Sequence, residues 1–337
     1  MRKILAMVGV LMVTGLAGAA QVNIYDASVE PTPGLDTLRL YKNDDNILRE
    51  PVYAENGCVV MIEAGTVIKG LQSFGNTMAA LIICQGAKII AVGTADEPII
   101  FTSIADVLED PCDIGPGGRS LWGGLVICGY GKVDASVARN VEGLPVSSKT
   151  EFGGGNDADN SGQLSYVSIR HGGSATSTNK EVNGLSLYAV GSGTQMDHIE
   201  VYANSDDGIE WFGGAASIKY AVTAYVGDDG FDWDHGWRGK GQYWFDVHNN
   251  IDDYFGTPDH AGEWDGKQAD SDTLFSNPVV SNATFVGPGV DAEDNGKMSE
   301  AIIFRDASAG KLYNSIISEW PNTGVYIENG AGFTTNS

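Results

Sequence analysis

Two runs of carboxylates stand 22 residues apart and carry the same spacing. Asp206, Asp207 and Glu210 in Asn204-Ser205-Asp206-Asp207-Gly208-Ile209-Glu210-Trp211 recur as Asp228, Asp229 and Asp232 in Val226-Gly227-Asp228-Asp229-Gly230-Phe231-Asp232-Trp233, followed at once by Asp234. Placed on adjacent layers of a stacked β structure, equivalent carboxylates lie about 4.8 Å apart. Like charges at that separation take up protons, spread into solvent or share a cation. Six to eight oxygens around a hard ion is the coordination of Ca²⁺, so calcium is the cofactor this pattern predicts. The competing reading needs no metal: Asp side chains in Asp-Asp-Gly turns accept hydrogen bonds from nearby backbone amides. A second oxygen-rich run, Asp157-Ala158-Asp159-Asn160-Ser161-Gly162, has the form of the first half of a calcium loop. The acid due six residues past the glycine is Ser168, so it is not an EF-hand.

Beside the ladder the sequence places Asp234-His235-Gly236-Trp237-Arg238-Gly239-Lys240, then Trp244 and Trp264. Trp211 and Trp233 share one repeat position and are expected to stack inside the fold. Trp237, Trp244 and Trp264, with Arg238 and Lys240, are expected to form an aromatic, charge-rimmed platform for a sugar. The opposing expectation is that these indoles cap apolar surface.

The elements that must hold these residues are short. Ile209/Trp211, Phe231/Trp233 and Ile199/Val201 alternate with polar residues between Gly, Asn and Asp, and no helix-length period accompanies them. The 22-residue offset also aligns Met196 with Ile218, His198 with Tyr220 and Gly214 with Gly236. A period of this size made of strands and turns predicts an all-β solenoid of coils of roughly 22 residues. Earlier in the chain, residues 61–70 and 82–91 share a pattern at an offset of 21, which predicts Gly65 over Gly86 and Ile62 over Ile83.

The phrases Gly65-Thr66-Val67-Ile68-Lys69-Gly70, residues 86–103 (GAKIIAVGTADEPIIFTS) and residues 122–131 (WGGLVICGYG) resemble the opening coils of right-handed parallel β-helix proteins with the pectin-lyase-like fold. The continuation through residues 141–145, 152–173, 183–214 and 227–237 resembles exported bacterial surface proteins of that fold, over about residues 56–330. The resemblance implies a right-handed parallel β-helix. It does not fix an activity, because one fold hosts lyases, hydrolases, adhesins and stalks. Polygalacturonase-like relatives pair aspartates on adjacent coils with a Gly-His-Gly segment and a later Arg-Ile-Lys motif. This chain has the aspartates and Asp234-His235-Gly236 but neither motif. Were it an enzyme, the resemblance would assign catalysis to Asp228, Asp229, Asp232, His235 and Arg238, as a polysaccharide lyase or glycoside hydrolase. A calcium-dependent lyase would draw its base from Arg170, Arg238 or Lys240.

Composition bounds the partners. With 44 Asp+Glu against 20 Lys+Arg, the net charge of −24 argues against nucleic acid and anionic membranes. Arg2-Lys3, the apolar run Ile4–Leu16 and Ala17-Gly18-Ala19-Ala20 read as a signal peptide over residues 1–20, predicting an exported chain whose mature part has no transmembrane segment. Residues 21–55 are expected to cap the first coil. Residues 56–337 are expected to form one β-helix, with loops at 103–121, 134–163 and 248–277. Cys84 and Cys128 hold equivalent places in two similar strands, as stacked thiols or as a bridge; Cys58 and Cys112 complete the set. The sequence predicts an extracellular, cell-surface or periplasmic β-helix that binds calcium and a glycan or other cell-surface component without catalysis. A polysaccharide-cleaving enzyme and a passive stalk or assembly subunit are the alternatives.

Overall fold

The chain folds, in a computed structural model, as a right-handed parallel β-helix. The structure describes residues 20–26, 37–72, 78–110, 113–134, 139–174, 181–248, 259–267, 272–292 and 300–328. The signal-peptide reading, Cys112 and parts of all three expected loops lie outside them. Among the described residues no helix is long and apolar enough to cross a membrane.

Two parallel sheets face each other across one core. The nine-stranded sheet runs from Pro51–Ala54 through Ala80–Ile83, Leu125–Cys128, Leu185–Tyr188, Ile209–Phe212, Phe231–Asp234, Gly262–Asp265 and Glu300–Arg305 to Thr323–Ile327. The fifteen-stranded sheet contains longer strands, Gly162–Arg170, Gln195–Tyr202, Ser217–Ala224 and Lys240–Val247, each bent at its middle. The bends fall on Tyr166, His198, Tyr220 and Tyr243, all in the left-handed region with φ between 50° and 59°. That conformation disfavours side chains beyond glycine. Here the four rings stack in a column on the outside, with centroids 4.1, 4.5 and 5.1 Å apart. Ring contact therefore offsets backbone cost coil after coil.

The 22-residue period is confirmed where it was read. Met196 pairs with Ile218, Glu210 with Asp232 and Trp211 with Trp233. The earlier alignment is not. Ile62 pairs with Ala91, not Ile83, because Val59–Ile62 and Ala80–Ile83 belong to different sheets. The strand–turn–strand signature there repeats around one coil as well as from coil to coil. The segment expected to cap the helix supplies strands of both sheets: Thr37–Leu40 pairs with Val59–Ile62, and Pro51–Ala54 with Ala80–Ile83. The 248–277 departure likewise contains a sheet strand, Gly262–Asp265, which sets Trp264 on Trp233.

The interior is a column of aromatic and branched side chains. Trp211, Trp233, Trp237, Trp244 and Trp264 are all within 1% of full burial. The indole N–H groups of Trp237, Trp244 and Trp264 donate to the carbonyls of Ala216, Ile218 and Phe231, at 2.9, 3.1 and 3.0 Å. A buried indole is tolerated when its polar atom is bonded, so these bonds explain how the rings stack so deeply.

A second apolar cluster lies outside the nine-stranded sheet. Ile82, Cys84, Val126, Cys128, Tyr188 and Phe212 are covered there by Val133 and by Val141, Leu144 and Phe152 of the 134–163 loop. Cys84 and Cys128 are free and buried, with their strands paired as neighbours, and Cys58 is buried as well. Burial pushes the Cys84 thiol up to about 12 and Cys128 well above its ordinary value. In a Cys112→Ser background, both thiols are expected to react with an aromatic disulfide reagent at pH 8 roughly a hundredfold or more slower than a free thiol. Reaction at the free-thiol rate without denaturant would contradict this packing.

Candidate metal centre

The outward residues of the nine-stranded sheet change character along the helix. In one column Ile82, Val126 and Ser186 give way to Glu210 and Asp232, and the Trp233–Trp264 pairing brings Glu263 next. The turn before each strand adds Asp206 and Asp207, then Asp228 and Asp229, then Asp259 and His260. Repetition of Asp-Asp-Gly on successive coils forces these carboxylates together, as a strand spacing dictates.

The patch is sealed as well as crowded. Asp207, Glu210 and Asp229 are each less than 7% exposed. Loss of water raises the carboxyls of Asp207, Glu210, Asp229 and Asp232 well above the ordinary range. Neighbours add to it: Asp206 beside Asp207, Glu142 beside Glu210, Asp228 beside Asp229 and Glu210 beside Asp232. Burial first, then Asp228, pushes Asp206 up to about 7. Glu263 is also pushed up to about 7, since burial outweighs the guanidinium of Arg305 beside it.

Turn capping is present and uses part of the set. Asp207 Oδ1 accepts the backbone N–H of Asp229 at 2.9 Å, and Asp229 Oδ1 accepts that of His260 at 2.7 Å. Asn183 donates its Nδ2 to Glu210. Several buried oxygens have no hydrogen-bond partner, among them Oδ1 of Asp232 and Oδ1 of Asn183, whose residue is 2% exposed. Ligand oxygens of Asp206, Asp207 and Asp228, of Asp207, Glu210 and Asp232, and of Asp229, Asp232 and Glu263 lie within 4.8 Å of one another in each group. An all-oxygen, electron-rich pocket of this kind fits Ca²⁺.

The remaining sequence candidates separate from it. Asp234 joins Asp134 and His235 instead, with His235 Nδ1 3.5 Å from each carboxylate. Asp157 Oδ1 accepts Arg238 Nη2 at 2.8 Å and the Lys132 amide at 2.9 Å, and Asp159 accepts the Tyr130 amide at 3.1 Å. The Ser161 amide donates to Thr194. These three residues serve as protein-bonded turn anchors, and among the described residues none joins a metal-ligand group. Arg238, expected beside the ladder, is held by Asp157 and the Gly236 carbonyl. The sugar platform is corrected outright: Trp237, Trp244 and Trp264 face the core and offer no ring to a ligand. Lys240 alone of that set is exposed.

The cation that does reach the patch is Arg305, bonded to Glu263 and, at 2.8 Å through Nε and Nη2, to Asp265. Sequence reasoning missed it, along with Asn183, Glu142 and the roles of His260 and Glu263. The signal for Arg305 is its place one residue after Phe304, which pairs with Trp264.

A family model described as a pectate-lyase like beta helix domain matches residues 35–336. A comparison with curated proteins finds no match. Two structures of PfbA, a surface adhesin of Streptococcus pneumoniae, align over 87% and 88% of this chain and 86% and 92% of theirs, each at 10% identity. Their TM-scores are 0.23 and 0.20, so they carry no argument about this site.

Proposed function

This chain belongs to the pectate-lyase-like β-helix domain family, and from that premise we propose that it is an exported, non-catalytic surface protein whose outer carboxylate patch is held together by calcium. The observation that carries the reading is Asp232: a buried carboxylate oxygen with no hydrogen-bond donor, set among Asp207, Glu210, Asp229 and Glu263. An uncompensated buried charge is costly, and a shared cation removes the cost. Export is supported by the residue pattern of 1–20. Of the bases a catalytic alternative would draw on, Arg238 is committed to Asp157 and Arg170 lies against Ser168 and Glu200, which leaves Lys240.

Glycan or another cell-surface component would then bind elsewhere than at the buried tryptophans. Support comes from a groove of about 430 Å³ on the other sheet, lined by Ser217, Lys219, Lys240, Gln242 and Ser281. Exposed Tyr220 and Tyr243 stand beside it, with the Lys219 ammonium 5.1 and 5.3 Å from their ring centroids.

Thermal unfolding of the mature chain tests the calcium reading. A ligand at about a hundred times its Kd stabilises by about 2.7 kcal/mol. At pH 7.5, millimolar calcium is expected to raise the midpoint by about 5 °C over chelator. Asp207→Asn with Asp232→Asn is expected to abolish the rise. An unchanged midpoint in the unsubstituted protein would overturn the proposal.

A further inference from the structure

We infer that the acidic patch takes two ions of different chemistry, the second being a first-row transition metal, Mn²⁺ or Zn²⁺ in type, held by Asp229, Asp259 and His260. This rests on the cation reading above and extends it. An ion with bonds of about 2.4 Å gathers oxygens no more than about 4.8 Å apart. The patch crosses three coils, each about 4.8 Å from the next. One ion therefore cannot serve both Asp206 and His260.

The two ends differ in donor type. Asp206, Asp207, Asp228 and Glu210 offer carboxylate oxygen, and Asn183, which donates its Nδ2 to Glu210, keeps an orphaned amide oxygen. The other end introduces a buried imidazole, 7% exposed. Its Nδ1 lies 3.1 Å from Asp229 Oδ1 and 3.1 Å from Asp259 Oδ1. Adjacent corners of an octahedron with bonds of about 2.2 Å are separated by about 3.1 Å, so each carboxylate oxygen stands from the imidazole nitrogen as two ligands of one small ion would. Calcium takes oxygen ligands, whereas imidazole with carboxylate suits manganese, iron and zinc.

A second observation concerns the far side of the ring. His260 Nε2 lies 3.8 Å from Glu300 Oε2. A metal-bound imidazole commonly turns its other nitrogen to an outer carboxylate, which fixes the ring and strengthens the ligand. Asp232 lies between the ends, belonging to the group of Asp207 and Glu210 and to that of Asp229 and Glu263. One of its oxygens has no hydrogen-bond donor.

The test uses the whole mature chain, stripped with chelator and titrated with Mn²⁺ in the presence of saturating calcium. One Mn²⁺ per chain is expected to bind despite the calcium, with a nitrogen coupling in its pulsed electron paramagnetic resonance spectrum. His260→Gln should weaken that binding at least tenfold and remove the coupling, while the calcium-induced rise in midpoint persists. Calcium binding without a calcium-resistant, nitrogen-coupled Mn²⁺ would overturn the second ion and leave the calcium reading standing. Binding of neither ion would overturn both, and would leave His260 as a hydrogen-bonded partner of Asp229. Should His260→Gln fail to fold, the nitrogen coupling in the unsubstituted protein decides the matter alone.

Discussion

In chelator, the protein is expected to be more stable at pH 5 than at pH 8, by about 5 °C or more in unfolding midpoint. Most proteins rich in paired carboxylates behave the other way. The sign follows from burial. Asp206 and Glu263 titrate near 3.8 and 4.5 when unfolded and are pushed up to about 7 in the fold. Between those values the folded chain binds more protons than the unfolded one, so stability falls as pH rises from about 4 to 7 and stays low above it. Asp207, Glu210, Asp229 and Asp232 are shifted in the same direction and extend the loss upward. Calcium, which replaces protons as the compensating charge, is expected to flatten the profile. Midpoints measured in chelator and in calcium across pH 4.5–8.5 would show both effects. A chelated protein whose midpoint climbs with pH would mean that the carboxylates are solvated.

Trp244→Ala is expected to cost about 3–5 kcal/mol, read by equilibrium unfolding in urea, while calcium binding at the patch is retained. Trp244 is 1% exposed and stacks 4.4 Å from Phe231 and 5.2 Å from Trp211. A cavity that size has no neighbour free to fill it, because the adjoining coils are fixed by their own backbone ladders. A ligand-platform tryptophan would give the reverse result, with lost binding and a stability change within about 0.5 kcal/mol.

What the sequence made legible follows from what a solenoid repeats. Glu210 over Asp232 and Trp211 over Trp233 could be read directly, since two consecutive coils lack insertions there and carry the same side chains. Four things could not. Gly65 and Gly86 look equivalent because each face of a coil begins with a similar turn. Trp237, Trp244 and Trp264 looked peripheral because they sit beside irregular sequence, yet each ring turns inward, and of the three only Trp264 stands in a strand between polar neighbours. The covering of the outer apolar cluster depends on Val141, Leu144 and Phe152, apolar residues scattered through a loop without period. Arg305 was hidden by the 40 residues separating it from Asp265.

The 134–163 loop has a mechanical side. Coils that touch only their neighbours can detach one at a time from a free end. This loop crosses several of them: Lys149 is paired with Asp26 and Glu55 near the N-terminal end, Asp134 with His235, and Asp157 with Arg238. It thus acts as a splint, and coils spanned by it must come apart together. The contacts that make the splint reach from Asp26 to Arg238, so the coils between them are the ones it holds together.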